Sequence, residues 1–474
     1  MSAANPSARM LRNTVILFGT RIAILLLAFV LNVAIARALG PEGLGSYGLM
    51  VVLAYVFQTS SALGLTYVLP RELGRRPADA KLLFDAALAV AMPAAAVFAC
   101  ALAGAARLLH YDAELVHALD LVGLSLLPGA LSQLGEGLFV SRGEGEACVI
   151  VTSVENVFRC IVSLAVLWLG HGLVALAWTY LASRLIGFAT TLWLMRGRLP
   201  AMDESALPAT VRELARGLPT FAALYVLVAL FFKGDMIVLS LLRPRGDVGI
   251  YTAGYRLFDV ACLVPSTASS VVYPVLSRMR HQRPGSEAPL TNSSLGALLV
   301  AVLPIVLVMS LGAHAIVSIL YGDAFAATVP VLAILPWALI PYAADTLLGH
   351  AMLAADRQRD DVKLVGTGVL TNLAVNLVLI PLWGAEGAAV ASLVSGAVLA
   401  WLHVRYVRER LYPVRLSEDT LRAIPAALVT AAFLWLFRAH HPFWTHPMAV
   451  VIFVLGARVF GAIRPDFVRT LLAR

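Results

Sequence analysis

Polar and apolar residues segregate along this chain into long blocks. Apolar runs of roughly 20 residues, enough to cross ~30 Å of hydrocarbon as a helix, recur from one end to the other. They lie at about 14–37, 46–69, 82–106, 117–140, 148–169, 173–195, 218–242, 249–276, 294–320, 328–353, 364–382, 386–404, 423–437 and 446–462, the last two being short. The connections are brief. The longest polar stretch, 196–216, leaves no room for a soluble catalytic domain. The pattern predicts an all-α polytopic membrane protein of about 14 transmembrane helices.

Composition agrees. Of 474 residues, 60% are hydrophobic and 14% charged, with a mean hydropathy of +0.84. A soluble protein of this size needs far more polar surface. Charge then orients the chain. With a cytoplasmic N-terminus, alternate connections hold 26 Lys and Arg on the inside and 5 on the outside (Arg37, Arg107, Arg243, Arg245 and Arg438). That bias satisfies the positive-inside rule with both termini cytoplasmic. The net charge of +8 therefore reports topology and gives no sign of nucleic acid. The first apolar run exceeds 20 residues and lacks an A-x-A-like end, so it reads as an uncleaved helix.

The chain repeats itself at an offset of 204 residues. Gly45, Tyr47, Leu53, Val56, Val68, Pro70 and Arg76 return as Gly249, Tyr251, Leu257, Val260, Val272, Pro274 and Arg280. The echo pairs spans 1–2 with spans 7–8, both starting on the same side, so the repeat is parallel. A fainter echo relates the run from Asn156 to Gly172 with that from Asn372 to Gly387, and Pro128 with Pro341. The expected division is an N-terminal lobe over 1–210 (helices 1–6), a C-terminal lobe over 211–415 (helices 7–12), related by a pseudo-two-fold axis, and an unrepeated helical pair over 416–474. Pro93, Pro128, Pro265, Pro304 and Pro341 fall within spans and are candidates for functional bends or for static kinks.

Ionisable groups inside hydrocarbon cost about 2.5–3.5 kcal/mol or more, so those retained there carry information. By residue count Arg21, Glu136, Glu155, Arg159, Arg184 and Asp345 fall in the cytoplasmic half or near the midplane, and Lys233, Asp235, Arg256 and Asp259 in the periplasmic half. Glu155 and Arg159 can pair along one helix, as can Arg256 and Asp259. Lys233 and Asp235 point different ways and need partners elsewhere, with span 8 nearest. Arg21 and Arg184 have no ready partner on their own helices, and Asp345 stands alone on span 10. Two readings stay open. In one, a hydrated cavity uses its cations (Arg21, Arg159, Arg184, Lys233, Arg256) to hold an anionic head group while Glu155, Asp235, Asp259 or Asp345 couples to H⁺ or Na⁺. In the other, interhelical salt bridges fix helix register.

Other chemistry is thin. No P-loop or Ser/His/Asp constellation is present, no cofactor is expected, and the four cysteines lack metal spacing. His440, His441 and His446 lie close together, but the setting disfavours a metal site. The chain reads as a secondary transporter and not as an enzyme.

Several stretches resemble the polysaccharide (O-antigen and exopolysaccharide) flippases of the multidrug/oligosaccharidyl-lipid/polysaccharide (MOP) exporter superfamily. They are RALGPEGLGSYG over 37–48, DVGIYTAGYRL over 247–257, VYPVLSR over 272–278, LYGDAF over 320–325 and NLVLIPLWGAEGAA over 376–389. The resemblance implies a bacterial inner-membrane protein that moves an undecaprenyl-pyrophosphate-linked oligosaccharide to the periplasmic leaflet by alternating access. It also implies association with polysaccharide polymerase or assembly proteins. A cationic lumen suits a pyrophosphate, and Arg suits bidentate phosphate contacts. By analogy with lipid II flippases, spans 13–14 would cradle the lipid tail. The alternatives are a lipid II flippase, a multidrug cation antiporter, for which five cations against five acids is a poor fit, and a membrane glycosyltransferase or polymerase, which would need a long polar loop.

Overall fold

A computed structural model describes residues 6–196, 206–416, 418–438 and 440–462. Almost every described residue is helical, with no strand among them. In chain order the helices are α1 (Pro6–Ser61), α2 (Leu65–Arg75), α3 (Ala80–Leu108), α4 (Ala113–Ser141), α5 (Gly145–Trp168), α6 (Leu173–Met195), α7 (Leu207–Leu242), α8 (Arg245–Ala261) and α9 (Leu263–Gln282). They continue as α10 (Ala288–Leu311), α11 (Ala313–Leu320), α12 (Thr328–Ile334), α13 (Leu339–Ala354), α14 (Gln358–Arg410), α15 (Glu418–Leu421), α16 (Ala423–Leu436) and α17 (Pro442–Val459).

Two helices are far too long for one crossing. At ~1.5 Å per residue, the 56 residues of α1 and the 53 of α14 would each span more than twice the hydrocarbon. Each is broken at one residue. Gly40 (φ 67°, ψ −169°) divides α1 just before Pro41, and Gly384 (φ 57°, ψ −128°) divides α14. Both conformations are left-handed, where a Cβ is penalised. Connections expected to be short loops are thus single-glycine breaks between arms. Among the described residues, ten helical stretches are long and apolar enough to cross a membrane. Two of these are the double-armed helices, and with α7 and the shorter apolar α16 the crossing segments number about fourteen. Large apolar side chains such as Val97, Trp168, Leu370 and Val378 point outward and lie exposed, a surface that suits lipid and not water.

Two apolar runs depart from a single helix. The run 294–320 ends as α10 at Leu311 and resumes as α11 after Gly312. The run 328–353 becomes α12, a 3₁₀ turn over Leu335–Ala338, and α13. Pro336 in that turn has no N–H to donate and cannot continue an α-helix. Ser310 Oγ compensates by donating to Ala333 O at 2.5 Å while accepting from Trp337 Nε1 at 3.1 Å. Of the five prolines expected to mark bends, Pro265 follows the α8–α9 break and Pro341 follows this 3₁₀ turn. Pro93, Pro128 and Pro304 lie inside α3, α4 and α10, which run on without a break.

The chain forms two compact units, Met1–Lys233 and Gly234–Arg474, dividing within α7. In the first, α4 packs on α3 and α6, and α5 on α1 and α6. Leu69, Ala86, Leu134, Leu138 and Phe139 form its buried core. Small residues let backbones approach: a Cβ on Gly123 would sit 3.4 Å from Ala99 O, and one on Gly137 3.3 Å from Pro70 Cγ. In the second, α13 packs on α9, α10 and α14, and the α16–α17 hairpin lies on α10 through Val300, Ala423, Ala426, Phe453 and Ala457.

The sequence echo has a structural counterpart. The second crossing of each repeat is interrupted, at Ala62–Gly64 between α1 and α2 and at Cys262 between α8 and α9. The repeated arginine closes each with an ion pair. Arg76 bonds Glu213 of α7, and Arg280 meets Glu287 at 2.8 Å. The Arg76 guanidinium holds the exposed Glu213 carboxyl below the usual carboxylate range, first through the hydrogen bond and then through charge.

Candidate functional site

Three polar clusters occupy the helix interiors, one in the first unit and two in the second. The first gathers Glu155, Asn156 and Arg159 of α5, Tyr180 and Arg184 of α6, and Glu136 of α4. Their spacing by three and four residues puts each helix's contributors on one face. The buried Glu155 carboxylate serves two arginines, with Arg184 at 3.1 Å and Arg159 at 3.9 Å. Asn156 also accepts from Arg159. Tyr180 lies between the guanidiniums, each 5.3 Å from its ring centroid, and its hydroxyl accepts from Arg184 at 3.0 Å. Glu136 acts electrostatically on both Glu155 and Arg184. The carboxylate has this room because residue 187 is glycine: a Cβ there would stand 2.7 Å from Glu155 Oε2.

The intrahelical pair Glu155–Arg159 forms as the spacing predicts. Arg184, expected to lack a ready partner on its own helix, has one in Tyr180 one turn back, and Glu155 of α5 binds it across helices. One donor is left over: Arg184 Nε is buried and has no hydrogen-bond partner among the described residues.

The second cluster centres on Asp235 of α7, which is 3% exposed. Its carboxylate accepts from the Tyr251 hydroxyl of α8, from Ser392 Oγ of α14 at 3.2 Å and from the Met236 N–H at 2.7 Å. The partner on span 8 that the sequence suggested for this region is therefore Tyr251, one of the echo's own identities. On the two arms of α14, Asn376 Nδ2 donates to Asn372 Oδ1 at 2.9 Å, and Asn372 Nδ2 to Ser395 Oγ at 3.0 Å. Asn376 Oδ1 is buried and has no partner among the described residues. One and two turns along α8 from Tyr251, Arg256 pairs with Asp259 at 3.6 Å as the spacing predicts. Lys233 is half-buried on α7. Arg21 lies on α1, and its side chain falls outside the described residues.

The third cluster gives Asp345, the lone ionisable group expected on its span, a partner from another helix. His403, on the second arm of α14 and 1% exposed, places Nδ1 3.0 Å from Asp345 of α13 and Nε2 2.8 Å from Asp361 on the first arm. Beside it Tyr406 donates to Asp360 at 2.5 Å. His403, Ser392 and Asn376 carry no fixed charge and Asp361 lies outside an apolar run, so hydropathy and charge leave them unmarked in the sequence. A histidine one helix turn from Leu399 in such a run was the available signal.

An apolar cavity of about 600 Å³ lies in the second unit. Leu295, Leu299, Trp337, Ile340, Leu393 and Leu416 are among its walls. Among the described residues no group of three His, Cys, Asp or Glu side chains is placed to hold a metal ion. His446 Nδ1 instead faces Pro442 O at 2.8 Å.

Comparison with known proteins gives this architecture a family. A family model described as "Polysaccharide biosynthesis protein" matches residues 10–280, and one described as "Lipid II flippase MurJ" matches 249–455. Two curated relatives from Haloferax volcanii are similar. One is a probable low-salt glycan biosynthesis flippase, Agl15, 25% identical over 36% of this chain and 37% of its own length. The other is a probable flippase, AglR, 26% identical over 48% of each chain. The chain thus spans about a third to a half of the length of these relatives. Among solved structures, the lipid II flippase MurJ in an inward closed conformation superposes with a TM-score of 0.77, at 14% identity, over 96% of this chain and 100% of that one. An inward-facing MATE family multidrug resistance transporter superposes at 0.64, also at 14% identity, over 82% of this chain and 94% of that one. At those identities the likeness is one of fold. The match over residues 10–280 covers more than half of the sequence, and the chain belongs to the polysaccharide biosynthesis protein family.

Proposed function

We propose that this protein flips an undecaprenyl-pyrophosphate-linked oligosaccharide from the cytoplasmic to the periplasmic leaflet by alternating access, as a secondary transporter for surface polysaccharide biosynthesis. The observation that carries the reading at the level of the site is the buried, unused Nε–H of Arg184 beside a second arginine and a carboxylate they share. Arginine's planar fork suits phosphate, and a donor without an acceptor in a buried position costs about 1–3 kcal/mol until one arrives. Arg184 and Arg159 would bind the pyrophosphate by exchanging Glu155 for it, with Arg21, Lys233 and Arg256 as the further cations along the path. The lobes 1–210 and 211–415 would alternate, and the pair 416–474 together with the apolar cavity would hold the polyprenyl tail.

Asp235 is our leading coupling carboxylate for H⁺ or Na⁺. It is the most deeply buried of the four nominated acids that includes Glu155, Asp259 and Asp345, and it joins three helices. Placement in a bacterial inner membrane with both termini cytoplasmic rests on the charge bias of the connections, and polymerase or assembly proteins are the proposed partners. The second reading, a lipid II flippase, is favoured by the family match over 249–455.

The test is deletion of the gene followed by leaflet-resolved analysis of lipid-linked sugars. Accumulation of a lipid-linked repeat unit on the cytoplasmic side, with synthesis continuing, is expected. Accumulation of lipid II instead would select the second reading. Unchanged glycolipid with new sensitivity to cationic dyes would overturn both.

A further inference from the structure

His403 is held in a way that constrains its protons. Nδ1 lies 3.0 Å from Asp345 Oδ1 and 3.1 Å from Leu399 O, and Nε2 lies 2.8 Å from Asp361 Oδ1. A neutral imidazole has one N–H and one lone pair, and ionised carboxylates and carbonyls only accept. With a neutral ring and two ionised carboxylates, a ring lone pair would face an oxygen at hydrogen-bond distance inside a site 1% exposed. Such a repulsive, desolvated contact does not persist. The geometry therefore contains one proton more than that set, and an imidazolium between two carboxylates makes two charge-assisted bonds of it.

We propose that His403, Asp345 and Asp361 form a proton-binding site, and that its proton fastens both arms of α14 to α13. Asp361 stands in the first turn of one arm, His403 near the end of the other, and Gly384 between them is the break about which the arms diverge. Asp361 is also the site's opening to solvent, with a side chain 30% exposed against 18% for Asp345. Loss of the proton leaves two carboxylates and a neutral ring, a net charge of −2 whose repulsion acts between α13 and the first arm of α14.

The neighbouring charges are otherwise engaged. On the first arm, Asp360 bonds Tyr406 and Lys363 and lies 4.0 Å from Arg357. On α9, Arg280 pairs with Glu287, and Tyr273 stacks edge-on with His350 of α13. On α8, Arg256 pairs with Asp259, while Asp247 lies against Gly384 at the far end of the arm. α10 and α12 carry no charged side chain. Asp345 and Asp361 are the charged groups in direct contact with the ring among the described residues.

This site is separate from Asp235, and its chemistry holds whether or not the flippase reading does. Only its use in transport rests on that reading. The experiment therefore needs no substrate. The full chain in lipid nanodiscs, with Cys100, Cys148, Cys160 and Cys262 replaced by Ser, is spin-labelled at positions 367 and 408, both on exposed faces of the two arms. The interspin distance is followed from about pH 5 to about pH 11 beside ¹⁵N spectra of the histidine rings, in which His403→Gln identifies the His403 signal. Expected is a ring with N–H at both nitrogens at the acid end, losing one on alkaline titration together with a shift of several ångströms in interspin distance. The shift should vanish in His403→Gln and, should that variant not fold, in Asp361→Asn. A ring with one unprotonated nitrogen at every pH, or a titration that leaves the distance unchanged, overturns the proposal.

Discussion

Replacing Asp235 by Asn distinguishes a carboxylate kept for transport from one kept for packing. The side chain is 3% exposed and accepts hydrogen bonds from Tyr251, Ser392 and the Met236 N–H. Asn has the same shape. Its oxygen can keep the backbone N–H, and its NH₂ can donate to the Tyr251 or Ser392 oxygen once those hydroxyls rotate. What changes is the charge. Each hydroxyl bond falls from about 1.5–3 kcal/mol to about 0.5–1.5 kcal/mol, a loss of about 2–3 kcal/mol over two bonds. Against this stands the relief of desolvating a carboxylate, several kcal/mol for a buried ion. The two nearly cancel, so Asp235→Asn should unfold within about 2 kcal/mol of the parent, on either side of it.

Tyr251→Phe has no such compensation. It removes a donor from a buried charge and leaves the carboxylate short of one bond, so it should destabilise by about 1.5–3 kcal/mol. The assay pairs thermal unfolding of both purified variants in one detergent with export of surface polysaccharide in a deletion strain. If Asp235 couples an ion, Asp235→Asn keeps its stability and loses export by tenfold or more. Tyr251→Phe, which keeps the carboxylate, loses stability and retains part of its export. Wild-type export by Asp235→Asn refutes the coupling role, and a loss of stability as large as that of Tyr251→Phe shows the carboxylate to be structural.

Gly187→Ala drives a methyl to 2.7 Å from Glu155 Oε2, some 0.7 Å inside ordinary contact, and a flexible carboxylate yields. Export should fall several-fold, with stability within about 1 kcal/mol because Ala offsets the strain by its helix propensity; wild-type export would show that the position of Glu155 does not matter. At the solvent-exposed end of α7, the Glu213 carboxyl is held low by Arg76. Its stabilising effect is therefore present above the ordinary carboxylate value, about 4.3, and is lost as the pH falls through the lower folded value. Unfolding curves of the parent and Glu213→Gln should differ at neutral pH and converge in acid, and a gap that persists at low pH would contradict the sign.

The fold was legible because hydrocarbon imposes one demand on every crossing segment, roughly 20 apolar residues in a helix that satisfies its own backbone. Where the sequence misled, a local rule outweighed that periodicity. Pro336 turned one expected helix into two with a 3₁₀ link, and Gly312 did the same for its neighbour. At Gly40 and Gly384 the chain needed no loop at all, because a single left-handed residue redirects a helix that hydropathy reads as two. Intrahelical pairs were equally readable, since Glu155–Arg159 and Arg256–Asp259 follow from spacing alone.

What spacing cannot give is the partner across helices, and that is where the candidate chemistry lies. Arg184 finds Glu155 from the next helix, Asp235 finds Tyr251 and Ser392 from two others, and Asp345 finds His403. For the two aspartates the partner is polar but uncharged, or a histidine, and therefore inexpensive enough in an apolar run to leave hydropathy unmarked. The same thrift makes these groups informative. A charge that persists in a membrane interior has partners, and an oxygen or N–H left over after those partners are counted, such as Arg184 Nε or Asn376 Oδ1, is the place to look for what the protein binds. The repeat shows the principle at work. Tyr47 and Tyr251 occupy equivalent positions and both are buried, and Tyr251 bonds a buried carboxylate across helices. A residue that the repeat keeps buried in both copies thus serves, in the second, to hold a charge that hydrocarbon alone would penalise.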